Sequence, residues 1–146
     1  MLSSSCKYGV RAVLLIASKP SGDGMVGLKT IASELKIPQP FLAKILQILS
    51  RNKILNSAKG PHGGFSLMRP ASEITLMDIV RAIDGDEFFD SCLLTGEKCS
   101  YYDTGKSVCL LHNDLRKEKV RLTRFFSGKT IDSLVRQLKK SSDVII

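Results

Sequence analysis

No apolar run in the chain exceeds the six residues AVLLIA at 12–17, far short of the roughly 20 that a membrane-spanning helix needs. The N-terminus, MLSSSCKYGVRA, also lacks the apolar stretch and small-residue cleavage site of a secretory signal. Both absences point to a cytoplasmic protein that is not in a membrane. In that compartment thiols stay reduced, and grouped cysteines serve metals or redox sensing rather than structural disulfides. Acidic residues are scarce in the first half, with two against ten Lys/Arg in residues 1–70. No Gly-Lys-Ser/Thr follows the glycine-rich stretch GPHGG at 60–64, which excludes a phosphate-binding nucleotide loop. No CxxC pair is present, which argues against a zinc-ribbon knuckle. No general base stands beside a nucleophile in the cysteine-bearing stretch apart from His112, so an enzyme is not expected. Internal repeats and low-complexity segments are absent too.

What remains is a chain of 146 residues, 43% hydrophobic, long enough for one domain with a core and an appended arm. The net charge of +8 is unevenly spread, at +8 over residues 1–70, −5 over 71–109 and +5 over 110–146. A basic first half suits an anionic partner, although it also serves solubility.

Apolar periodicity predicts a helix over 5–18, with Tyr8, Val10, Val13, Leu14 and Ala17 on burial-competent faces. A turn follows at 20–24 and a short helix at 28–35. Pro38 opens a third helix that runs to about residue 52, with Phe41, Leu42, Ile45, Leu46 and Leu49 as its buried stripe. Extended runs at 54–59 and 65–68 flank the glycine-rich turn and predict a β-hairpin. Thr75 and Asp78 form a capping box that opens a helix ended by Gly85. A further helix is expected from about Leu110 through Leu111, Leu115, Leu122, Phe125 and Phe126. Gly128 stops it, and Thr130 caps a last helix reaching about residue 140. Cys6 reads as buried core, and the acidic residues of 84–90 as a solvated loop.

Helices followed by a hairpin is the order of a winged helix-turn-helix. The expected fold is therefore mainly α with a small β-hairpin. The major groove of DNA, about 12 Å wide, admits one helix. Gln39, Pro40, Ala43, Lys44 and Gln47 lie on the side of the third helix opposite its apolar stripe. The wing tip offers Lys59, Gly60, His62 and Gly63, and the second helix adds Lys29 and Thr30 to the expected DNA-contacting set.

The stretch CLLTGEKCSYYDTGKSVCLLH, at 92–112, gathers three of the four cysteines and one of the two histidines. Cys92, Cys99 and Cys109 are separated by six and nine residues. By chemistry alone the thiols suit an iron–sulfur cluster, a zinc ion or a thiol switch such as a Cys92–Cys99 disulfide.

Several motifs together resemble the Rrf2 family of bacterial transcription regulators, of the IscR/NsrR type. They are Tyr8-Gly9 with Arg11-Ala12, Ile31-Ala32, Ile37-Pro38 with Phe41-Leu42, and Ile45-Leu46. Gly60, Gly63-Gly64-Phe65, Leu67, Pro70, Ile74, Asp78-Ile79, Ala82 and Gly85 continue the pattern, and the three cysteines with Cys109-Leu110-Leu111-His112 complete it. The likeness spans roughly residues 1–125. It implies a homodimer on double-stranded DNA at a near-palindromic operator, with a long C-terminal dimerisation helix starting near Leu110. It also implies that Cys92, Cys99 and Cys109 hold an iron–sulfur cluster, [2Fe–2S] being favoured over [4Fe–4S]. Cys109 and His112 are three residues apart at a helix start and can face one point, so His112 is the expected fourth ligand. Asp90, Asp103 or an N-terminal residue of the other subunit are weaker alternatives.

The chain departs from the family pattern in three places. The interval between Cys99 and Cys109 is long, which bears on the cluster type. Ala43 stands where IscR-type members carry an acidic base reader, which bears on the operator. Tyr8 stands where some NsrR-type members carry a ligating carboxylate. The expected organisation is a DNA-binding domain at 1–85, a sensor loop at 86–109 and a dimerisation and C-terminal unit at 110–146. The expected function is an operator-binding repressor under iron–sulfur, redox, iron or nitric oxide control. A zinc-binding or thiol-switch regulator and a metal-free protein-interaction module are the rival readings.

Overall fold

A computed structural model describes residues 2–19, 24–86, 89, 91, 96 and 111–140. Among these, helix α1 spans Ser4–Ser18, α2 Leu28–Leu35 and α3 Gln39–Arg51. Strands β1 (Leu55–Ala58) and β2 (Gly64–Leu67) form an antiparallel hairpin, followed by α4 (Leu76–Asp84), α5 (His112–Gly128) and α6 (Ile131–Lys140). The expected fold class holds. The turn expected at 20–24 falls largely outside the described residues.

Local chemistry sets most boundaries. The Ser3 hydroxyl accepts from the Cys6 N–H at 3.0 Å and caps α1. Helix α2 ends at Lys36, whose left-handed φ of 55° turns the chain into α3. Pro38 sits at the cap of α3 and Pro40 in its first turn, where a missing N–H costs nothing. The capping box of α4 is complete: Asp78 N–H donates to Thr75 Oγ1 at 3.2 Å, and Thr75 N–H donates to Asp78 Oδ2 at 2.8 Å. Strand β1 is shorter than the run expected at 54–59, and β2 has the expected length but begins one residue earlier, at Gly64. In the hairpin Leu55 faces Leu67 and Ala58 faces Gly64.

The core lies between α1, α3 and α4. Val13, Ile31, Leu42, Leu46, Leu49, Ile74, Ile79 and Val80 are fully buried. Helix α1 touches α2, α3, α4, β2 and α6, which explains a departure from its expected face. Cys6, Gly9, Ala12, Leu15 and Ile16 are buried beside Val13, whereas Tyr8, Val10, Leu14 and Ala17 are half-buried. Gly9 marks a close approach between α1 and α4: a Cβ there would stand 2.3 Å from Ile83 Cδ1. The last helix returns to this core. Ile131 N–H donates to Ile74 C=O at 2.8 Å and Leu76 N–H to Lys129 C=O at 2.9 Å, which places Ile131 and Val135 among the buried side chains.

Candidate nucleic-acid interface and cysteine segment

Burial of Leu42, Ile45, Leu46 and Leu49 turns the opposite face of α3 outward. Gln39, Pro40, Lys44 and Gln47 are exposed there, with Ala43 half-buried between them. Lys29 and Thr30 are exposed on the first turn of α2. At the wing tip Lys59, Gly60 and His62 are exposed and Gly63 is half-buried. The wing is held against the helices by Val26, whose N–H donates to Phe65 C=O at 2.8 Å and whose C=O accepts from Phe65 N–H at 2.9 Å. That pairing needs Gly64, because a Cβ there would lie 2.5 Å from the Val26 carbonyl oxygen. Among the described residues, Lys29, Lys44 and Lys59 enter no ion pair. Their charges can thus meet a polyanion without first breaking a bond within the chain.

Phe41 corrects the sequence reading. It was expected in the buried stripe of α3 but is 38% exposed. At about 100° per residue it lies roughly 90° from the centre of the buried arc. Its ring meets the Tyr8 ring edge-on, with centroids 5.7 Å apart and planes at 89°. The Arg11 guanidinium lies over the Tyr8 ring at 5.8 Å and donates to the Leu35 carbonyl at 3.4 Å. A helical wheel drawn on α3 alone contains the signal for Phe41; the support from Tyr8 needs the tertiary contact.

Cys92, Cys99 and Cys109, with Asp90 and Asp103, lie outside the described residues, as does the side chain of His112. The chain on either side is anchored. Asp84, expected in a solvated loop, is instead the half-buried last residue of α4. Its carboxylate accepts from the Ser3 N–H at 2.9 Å and from the Ser3 hydroxyl, tying α1 to α4 just before the cysteine segment. Cys6 is fully buried, as expected. Burial, reinforced by the charge of Asp84 and a hydrogen bond to it, pushes its thiol up to about 12. Further along, Phe89 packs edge-on against Phe126 of α5 at 5.7 Å, and Lys119 of α5 donates to the Ser91 carbonyl. Helix α5 itself starts at His112.

A polar helix face presented by a helix-turn-helix, with a braced hairpin beside it, defines a winged-helix DNA-binding protein. The chain belongs to the Rrf2 family, described as iron-dependent transcriptional regulators, which matches residues 2–137. It is similar to a putative HTH-type transcriptional regulator of Aquifex aeolicus, 34% identical over 92% of this chain and 91% of that one. It is 33% identical to the HTH-type transcriptional regulator IscR of Photorhabdus laumondii, over 92% of this chain and 78% of the relative. Its fold is similar to that of CymR, the global cysteine regulator of B. subtilis, with a TM-score of 0.74 at 19% identity over 94% of this chain and 97% of that one. The protein is thus a DNA-binding transcriptional regulator and not an enzyme. Among the described residues no helix is long and apolar enough to cross a membrane.

Proposed function

We propose that the protein works as a homodimer on a near-palindromic operator, with α3 of each copy in the major groove. Gln39, Pro40, Ala43, Lys44 and Gln47 face base edges in this reading, while Lys29, Thr30, Lys59, Gly60, His62 and Gly63 contact the sugar–phosphate backbone. The observation that carries it is the outward, unpaired polar face of α3 beside a braced wing. Support for the dimer comes from α5, where Val120, Leu122 and Phe125 are exposed, with Leu111 exposed at its cap.

In the same reading Cys92, Cys99, Cys109 and His112 hold an iron–sulfur cluster, [2Fe–2S] before [4Fe–4S]. Three thiols and an imidazole are a donor set that such clusters accept, and the family description is iron-dependent. When bound, the cluster supplies a centre sensitive to iron, oxidants and nitric oxide. The chain's own part is to transmit the state of the segment. Asp84 and Ser3 join its start to α1, and Lys119 and Phe126 join it to α5, so a change there can alter the spacing of two recognition helices.

Two experiments test these statements. Operator affinity should fall roughly 10³–10⁵-fold between 50 and 200 mM salt for about six to ten phosphate contacts, and Lys59→Ala should reduce the log–log salt slope by about 1. Affinity that ignores salt and sequence contradicts operator binding. Protein purified without oxygen should be brown and contain iron and sulfide, and replacing any of the three cysteines with alanine should bleach it. Colourless protein with stoichiometric zinc, or with a Cys92–Cys99 disulfide formed by oxidant, replaces the cluster with one of its rivals.

A further inference from the structure

Phe41 is the large apolar side chain that α3 leaves exposed, at 38%. It is the third residue of that helix, within the turn that helix-turn-helix docking brings to the base edges. Its neighbours Gln39, Pro40 and Lys44 are exposed as well. The ring is not loose. Tyr8 of α1 holds it edge-on at 5.7 Å, and Arg11, three residues along the same helix, lies over the Tyr8 ring in turn. An apolar surface already held in one orientation loses little entropy when it makes a contact.

The major groove offers one apolar group, the 5-methyl of thymine. We propose that Phe41 is a specificity-determining residue that packs on the 5-methyl group of one thymine in each operator half-site. Glutamine pairs with adenine and lysine contacts guanine oxygen and nitrogen, so neither can prefer thymine by its methyl group. Phe41 supplies a preference that those polar side chains lack. The inference deepens the operator-binding reading and rests on it.

The test uses the full chain and the sequence it selects from random duplexes. Each thymine of a half-site is replaced singly by deoxyuridine, which removes only the methyl group. Wild type should lose about fourfold in affinity at one position per half-site, the effect of one methyl-sized apolar contact. Phe41→Ala should show no loss at that position, and Phe41→Leu, which keeps an apolar side chain, should retain part of it. A thermal melt of Phe41→Ala close to wild type shows that the fold is intact. Equal deoxyuridine penalties in wild type and Phe41→Ala at every thymine overturn the assignment while leaving operator binding in place. Failure of the wild type to select any sequence overturns the operator reading and the assignment with it.

Discussion

Helices α1 and α5 are of similar length, 15 and 17 residues, and have opposite fates. Six residues of α1 are buried, and its contacts reach five other elements. Among its described side chains α5 contributes none to the buried core, and it displays Val120, Leu122 and Phe125 to solvent. Helix α1 is therefore packed into the core of this chain on several sides. Val120, Leu122 and Phe125 of α5 stay exposed among the described residues, and the proposed second copy would cover them. Helices α1–α4, the hairpin and α6 share one core, while α5 turns Val120, Leu122 and Phe125 away from it.

The largest effect should come from the body. Leu46→Ala removes a fully buried side chain and should cost about 2–5 kcal/mol, read as a lower urea midpoint. A loss below about 1 kcal/mol would mean that the core is looser than its burial implies. Cys6 gives a second measure of the same interior. With its thiol near 12 rather than 9.0, its thiolate fraction at pH 8 is far smaller in the folded chain. Alkylation of Cys6 at that pH should be about a thousandfold slower than in urea, followed by peptide mass mapping. Folded Cys6 holds its proton more tightly, so this contribution to stability is full below pH 9 and is lost as pH rises towards 12.

On α5 the expectation differs. Phe125→Ala should weaken self-association about tenfold in sedimentation, as expected for partial burial of one aromatic ring, while barely changing the unfolding of dilute monomer. An unchanged association constant would remove Phe125 from the proposed interface. Thr75→Ala should cost about 1 kcal/mol by breaking the cap of α4, and Thr75→Ser should restore most of it in the same melt. The smallest change is expected at an exposed α5 ion pair. Glu118→Ala deletes the 2.9 Å contact to Arg121 and should shift stability by no more than about 0.5 kcal/mol.

How much was legible in the sequence depended on the distance over which the deciding interaction acts. The bounds of α2 matched, and α4 opened at the Thr75–Asp78 box, because caps and turns involve residues a few positions apart. The outward face of α3 was legible because its stripe of Leu42, Ile45, Leu46 and Leu49 is regular. The face of α1 was not. VLLIA at 13–17 is apolar all round, and such a segment says that a helix is buried without saying which side meets which neighbour. Phe41 was misplaced by counting it as apolar instead of by its angle on the helix. The cysteine set was legible as donor chemistry only, since thiol spacing names suitable partners without placing them.

By itself, then, the sequence determined the order of helices and wing, the caps that bound them, the cationic and amide face of the recognition helix, and a soft-donor set in one segment. These follow from short-range hydrogen bonding, backbone preference and binary pattern, all of which are local. Only the tertiary structure decided that α1 is buried on several sides, that α6 returns Ile131 and Val135 to the core, and that Phe41 stands on Tyr8 in the open. It alone brought Asp84 to Ser3, 81 residues away, at the root of the cysteine segment. Such contacts form when distant elements close on one another, and their geometry depends on how all of those elements pack together.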